Sequence, residues 1–334
     1  MTEFKAYAAL EAGAKLEPFS YDAGPIGAHE VEIDISSCGL CHSDVSMINN
    51  DWRASRYPLV AGHEIIGTVA AIGEHVKHLD IGQTVGVGWS SHSCGHCGQC
   101  LSGAQQRCPS LTSTIGGHGG FADKVRVQDI WAVPLPEGLS VREAGPLFCG
   151  GITVFAPLMD FDIKPTDRIG VIGIGGLGHL AVQFARAWGC EVTAFTSASD
   201  KEAELKTLGA HHIVNSRDTA ALKPLRGHFD LIISTVNVSL NWAAYMSALA
   251  PKGQLITVGV VDEPMAIPAM SMIGGQKSVA GSDTGPPQMV AKMLEFCARH
   301  DIKPMAEYFK MSDVNDAIAH LKSGKARYRV VLET

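Results

Sequence analysis

Four cysteines, Cys94, Cys97, Cys100 and Cys108, crowd into the stretch that opens with "CGHCGQC". Thiolates are soft ligands, and four of them on one short loop match the closed tetrahedral shell of a structural zinc. Such a shell leaves no position for a substrate, so this cluster is read as shaping a loop. His92 and His96 stand beside it as bystanders. The bland alternative, four unliganded surface thiols, would be a patch prone to oxidation.

A second group is spread out: Cys41, His42, Ser43 and Asp44 in "CGLCHSD", His63 and Glu64 in "VAGHEIIG", and Cys149 in "GPLFCGGITVF". Two thiolates and one imidazole are the donors a catalytic zinc uses when its fourth position stays open to water or substrate. Spacing alone does not unite residues so far apart. A lone cysteine in an apolar run, such as Cys149, is more often core than ligand.

The third pattern is "GIGGLG", Gly173 to Gly178, which fits G-x-G-x-x-G after an apolar strand and before a helix. Gly173, Gly175 and Gly178 then serve a tight turn, a close approach to pyrophosphate, and helix–strand contact. The helix N-terminus offers N–H groups to the phosphates. An NAD site usually carries an acid ~20 residues beyond the loop. Here the strand ends in "EVTAFTSASDK", where Thr196, Ser197 and Ser199 offer hydroxyls and Lys201 a cation. These groups suit a 2′-phosphate, so NADP(H) is the expected cofactor. Asp200 points either way, and a plain polar turn is the structural alternative.

The elements that must position these groups fall into two blocks. A chain of 334 residues is long enough for roughly two domains. Before about residue 150, "EVEIDISS", "IIGTVAAIG", "QTVGVGW" and "DKVRVQ" read as strands between Gly, Asp and Pro punctuation. Beyond Pro165, short apolar strands alternate with helical patterns, which argues a parallel sheet covered by helices. Helical segments over 289–299 and 314–322 and a last strand, "YRVVLE", follow. This tail either caps the nucleotide domain or returns to the β-rich block.

Composition narrows the partners. Net charge is −7 with no long basic tract, which argues against nucleic acid and anionic membrane surfaces. No apolar run is long enough to span a bilayer, and the N-terminus lacks a signal-peptide pattern, so a cytoplasmic location is expected. In a reducing compartment, clustered cysteines are ligands more often than disulfides.

The order of these motifs, Cys41-His42-Ser43-Asp44, Gly62-His63-Glu64, the four-cysteine loop, "PLFCGGITV" and "GIGGLGHLAV", resembles the zinc-dependent medium-chain alcohol dehydrogenases. Within them it is most similar to the cinnamyl-alcohol-dehydrogenase branch and its bacterial NADPH-dependent, broad-range aldehyde reductases. The similarity runs from "EFKAYAA" to "KARYRVVL". It implies an α/β protein: a GroES-like β-rich catalytic domain over 1–149 and 288–334, and a Rossmann doubly wound parallel sheet over 150–287. It implies two zinc ions per subunit. Cys41, His63 and Cys149 become the catalytic ligands, with Glu64 an occasional one, and Cys94, Cys97, Cys100 and Cys108 hold the structural ion. Asp44 matches the acid that orients the ligand imidazole. Ser43 matches the hydroxyl that relays a proton. Thr153 matches a residue beside the nicotinamide; Gly176, Leu177, Val258, Ser282 and Arg329 are further expected cofactor contacts. Trp52 and Trp89 fall near the substrate-pocket walls, though as core aromatics they are nearly as well explained.

Two departures matter. Many relatives carry a histidine five residues after the first zinc cysteine, where this chain has Ser46, so the outer end of the proton relay passes to water, ribose hydroxyls or His42. The segment "PSLTSTIGGHGG" is compact beside that of the plant enzymes. The implied reaction is reversible reduction of aromatic and medium- or long-chain aliphatic aldehydes to primary alcohols, zinc polarising the carbonyl and Ser43 relaying the proton. The rival enzyme reading is NAD-dependent oxidation of polyols or secondary alcohols, against which the missing acid speaks. The rival non-enzyme reading is a zinc-ribbon interaction protein, disfavoured by the acidic balance. The apolar "QLITVGV" and "MAIPAMSMIGGQ" suggest a subunit interface, in a dimer or alternatively a tetramer.

Overall fold

The computed structural model describes residues 2–198, 201–218 and 220–334, which form two compact units, Met1–Ile152 with Thr284–Thr334, and Thr153–Asp283. The sequence places the joints at 149/150 and 287/288, a few residues away from these.

The first unit is built on a seven-stranded sheet whose spine is the strand Glu30–Leu40. Val31, Ile33 and Ile35 alternate into the core, and Cys38 and Leu40 continue the buried face. This strand pairs antiparallel with Glu64–Ile72, with Lys124–Gln128, and with Arg329–Glu333. The C-terminal tail therefore returns to the β-rich unit, with Leu40 opposite Val330 and Gly39 opposite both Val331 and Glu64. Register thus brings the end of one strand, where Cys41 follows, beside the starts of two others, at Glu64 and Arg329. The helices Pro287–His300 and Val314–Lys322, expected as helical segments over 289–299 and 314–322, also belong to this unit.

"QTVGVGW" forms a strand over Thr84–Val87, and its glycines have a packing reason. A Cβ on Gly86 would lie 2.1 Å from the Phe148 ring, and one on Gly88 would lie 2.5 Å from the Phe148 carbonyl. Two bare backbone positions let the turn Gly145–Phe148, and Cys149 after it, settle against the sheet.

The second unit carries six parallel strands in the order His212–Asn215, Glu191–Thr196, Arg168–Ile172, Phe229–Ser234, Leu249–Thr257, Ser278–Gly281. In chain order that is 3-2-1-4-5-6, the Rossmann arrangement, with the direction of winding reversing between Arg168–Ile172 and Phe229–Ser234. Ligands of such sheets bind outside the carboxyl ends of the strands, at this reversal. Gly173, Ser197, Val258 and Ser282 each follow directly on the carboxyl end of one of these strands. The segment "MAIPAMSMIGGQ" contains only a short helix, Ala269–Ile273, on which Met270 and Ile273 are exposed. No helix among the described residues is long and apolar enough to cross a membrane.

Candidate active site

Cys41 sits at the N-terminus of the helix His42–Asn49, and Asp44 in its first turn accepts the Cys41 N–H at 2.8 Å. The other Asp44 oxygen accepts the Gly62 N–H at 2.8 Å and His63 Nδ1–H at 2.9 Å. Gly62 has φ +98°, and a Cβ there would meet the Phe121 backbone at 2.8 Å and Cys38 Sγ at 2.9 Å, so glycine is required where the chain turns into His63. Asp44 and His63 are wholly buried. With Nδ1 donating to Asp44, Nε2 presents its lone pair.

That lone pair has no partner among the described residues. The ligand atoms of Cys41, His63, Glu64 and Cys149 all lie within 4.8 Å of one another. A buried imidazole nitrogen without a hydrogen-bond partner among the described residues, beside two thiols 3.9 Å apart, is a set of groups that a zinc ion would satisfy. The hydrogen bond from the Cys149 thiol, outweighing the cost of burial and aided by the Arg329 charge, holds Cys41 well below the usual thiol range. Cys41 is therefore the readier thiolate. Geometry, not spacing, brings Cys149 out of its apolar run and into the set.

Glu64 pairs with the Arg329 guanidinium, and both are buried. Burial pushes the Glu64 carboxyl up to about 7, against the pull of Arg329. Arg329, expected among the cofactor contacts, thus lies in the charge cluster at the thiols, a role no sequence pattern announces. Ser43 is half-buried, with Oγ 3.8 Å from Cys41 Sγ; His42 beside it is exposed.

Trp89 meets the His63 ring edge-on, with centroids 5.0 Å apart, and Trp52 meets Trp89 at 6.1 Å. Trp52 is 38% exposed, so the two rings form an aromatic wall running from the buried ligand out to solvent.

The four-cysteine loop is a separate, locally built site. Its sulfurs lie within 4.8 Å of one another, with Cys94 to Cys100 at 4.0 Å and Cys97 to Cys108 at 3.9 Å. These separations are far beyond an S–S bond and close to the ~3.8 Å between sulfurs tetrahedrally placed 2.3 Å from zinc. Backbone N–H groups of Cys97, Cys100, Cys94 and Ser110 point at the sulfurs of Cys94, Cys97 and Cys108. The N–H groups of His96 and Cys97 draw Cys94 down to about 6, while burial pushes Cys100 up to about 11. The strands Ser90–His92 and Thr112–Ser113 pair at the base of this loop. His92 turns to Glu30 and His96 to the Cys94 carbonyl, so neither competes for the metal.

In the second unit the three fingerprint glycines have distinct surroundings. Gly173 has φ +86°; a Cβ on Gly178 would lie 1.9 Å from the Gly173 carbonyl; a Cβ on Gly175 would meet nothing within 4 Å. The first two serve the turn and the helix contact, and the third leaves room for a ligand. Lys201 Nζ donates to the Ile174 carbonyl at 3.1 Å, which brings a cation to the loop from the end of the second strand. Thr196 is buried and Ser197 exposed; Ser199 lies outside the described residues. His179 and Thr235 also touch the loop, although neither falls in the glycine pattern.

Residues 27–137 match the family model of the alcohol dehydrogenase GroES-like domain, and residues 176–299 that of the zinc-binding dehydrogenases. The chain is 57% identical over 329 residues to the aldehyde reductase AdhA of Synechocystis, covering 98% of each protein. Among solved structures it is similar to a cinnamyl alcohol dehydrogenase of Sorghum bicolor, with TM-score 0.94, 36% identity, and coverage of 99% of this chain and 98% of that one. It is also similar to the Helicobacter pylori cinnamyl alcohol dehydrogenase complexed with NADP(H), with TM-score 0.90, 29% identity, and coverage of 99% and 98%.

Replacing Asp44 by Asn keeps the shape but removes the charge behind His63. Zinc affinity at that site is expected to fall about 10–100-fold, measured by chelator competition, while the four-cysteine site keeps its ion. Cys108→Ser is expected to remove one zinc equivalent and lower the melting temperature. Two equivalents by metal analysis of that variant would refute the four-thiolate assignment.

Proposed function

This chain belongs to the zinc-binding medium-chain alcohol dehydrogenases, in their cinnamyl-alcohol-dehydrogenase branch, and we propose that it reduces aldehydes to primary alcohols at the expense of NADPH. The observation that carries this reading is the open donor set of Cys41, His63 and Cys149, with His63 Nε2 left without a hydrogen-bond partner among the described residues. When bound there, zinc supplies Lewis acidity to the carbonyl, and the nicotinamide supplies the hydride.

The chain's own residues do the rest. Asp44 fixes the His63 tautomer and makes its free nitrogen a better donor. Glu64 and Arg329 keep the buried charges around the thiolates paired. Ser43 Oγ, beside Cys41 Sγ, passes a proton to the product oxygen. Ser46 stands where many relatives carry a histidine, so the proton reaches Ser43 from water, a ribose hydroxyl or the exposed His42. Trp52 and Trp89 exclude water on one side and offer an apolar face to the aldehyde tail. Such walls discriminate a single methylene by only ~1–3 kcal/mol, which supports a broad range of aromatic and medium- or long-chain aliphatic aldehydes.

Thr196, Ser197 and Lys201, with no acid on the strand end, support preference for the 2′-phosphate of NADPH, and Ser199 completes that reading of the sequence. Gly176, Leu177, Thr153, Val258 and Ser282 are proposed as further cofactor contacts. Val260, Met270 and Ile273, 59%, 72% and 68% exposed, support association through this unit, as a dimer or alternatively a tetramer. A cytoplasmic location goes with nine cysteines of which none is paired in a disulfide.

Initial rates with NADPH and NADH, against one aromatic and one medium-chain aliphatic aldehyde, test the whole reading. Turnover of both aldehydes with a strong NADPH preference is expected. An NADH preference would favour polyol or secondary-alcohol oxidation instead. Ser43→Ala is expected to lower kcat about 10²–10⁴-fold with both zinc ions retained; an unchanged kcat would remove Ser43 from the relay.

A further inference from the structure

Three successive carbonyls of the glycine loop each accept a hydrogen bond from a side chain. Thr235 Oγ1 lies 2.7 Å from the Gly173 carbonyl, Lys201 Nζ 3.1 Å from that of Ile174, and His179 Nδ1 2.9 Å from that of Gly175. The Ile172 carbonyl, also 3.0 Å from the Thr235 hydroxyl, already receives the Thr235 N–H, which leaves the hydroxyl proton for Gly173. His179 is wholly buried in the first turn of the helix Gly178–Trp188, and its own N–H also reaches the Gly175 carbonyl, at 3.2 Å.

In a trans peptide the carbonyl of one residue and the N–H of the next point in opposite directions. Fixing the carbonyls of Gly173, Ile174 and Gly175 therefore fixes the N–H groups of Ile174, Gly175 and Gly176 on the other side of each peptide plane. Glycine-rich backbone is costly to order, and an untied loop would present these donors in many orientations. The open space beside Gly175 shows where an anion can approach.

We propose that His179 and Thr235 are positioning residues of the cofactor site, which hold the glycine-loop N–H groups toward the pyrophosphate before it arrives. Lys201 ties the same loop to the strand end that meets the ribose. The proposal rests on the dinucleotide reading of this unit. It concerns the pyrophosphate, common to NADPH and NADH, and so is independent of which one is preferred.

The test is titration of the zinc-loaded protein with NADPH and with NADH, read by fluorescence, alongside the melting temperature of the cofactor-free protein. Thr235→Val and His179→Phe remove the donors at near-constant volume. Thr235→Ser keeps the hydroxyl, and His179→Asn places an amide N–H where Nδ1 stood. Each apolar variant is expected to raise Kd for both cofactors by about fivefold, the size of one hydrogen bond, with Thr235→Ser and His179→Asn returning it to within about twofold. Unchanged Kd in Thr235→Val, or equal losses in the apolar and donor-keeping variants, would overturn the proposal by reducing both residues to packing. Should His179→Phe fail to fold, Thr235→Val decides. A preference for NADH with the loop effects intact would overturn the NADPH reading alone. Binding of neither cofactor by the unaltered protein would overturn both.

Discussion

The carboxylate of Asp44 accepts hydrogen bonds from Cys41 N–H, Gly62 N–H and His63 Nδ1–H with no exposure to solvent. A buried charge is expensive unless it is paired and fully bonded, and here the bonds go to two different segments of chain. One oxygen closes the first turn of the helix His42–Asn49, and the other holds the turn that delivers His63. Orientation of two candidate metal ligands therefore hangs on one side chain, and Glu64 with Arg329 balances the remaining charge. Removing either member of that pair would strand a charge in the interior, which costs far more than the pair itself contributes.

The two metal sites differ in how they are made, and this decides what can be read from residue order. The four-cysteine loop uses its own backbone N–H groups and a short strand pair at its base, so spacing alone discloses it. The site of Cys41, His63 and Cys149 exists only because strand register aligns Gly39 with Glu64 and because Gly86 and Gly88 admit the Phe148 turn. No local pattern encodes such an alignment. Resemblance to a family supplied the connection that spacing lacked. Arg329 illustrates the remainder: the sequence suggests a cofactor contact, and the sheet places the residue against Glu64.

The Rossmann unit was the more legible half. Strand–helix alternation and the glycine pattern mark the sheet and its loop, and the strands Arg168–Ile172 and Glu191–Thr196 fall on the apolar runs that announce them. The ties on the loop were not legible. Thr235 lies 62 residues from Gly173, at the end of a neighbouring strand, and His179 reads as an ordinary helical residue until its burial is known. Three-dimensional adjacency of strand ends is what a one-dimensional pattern omits.

The pairing of Arg329–Glu333 with the spine strand has a consequence in time. Glu64 and Arg329 are 265 residues apart, and translation adds only about 5–20 residues per second. Glu64 thus leaves the ribosome on the order of tens of seconds before the cation that will neutralise it. Through that interval the nascent β-rich unit lacks two strands of its sheet, Ala306–Lys310 and Arg329–Glu333, and a counter-charge, while the Rossmann unit encoded between them can finish folding. The order of synthesis makes the nucleotide-binding half a completed module that waits for its catalytic neighbour.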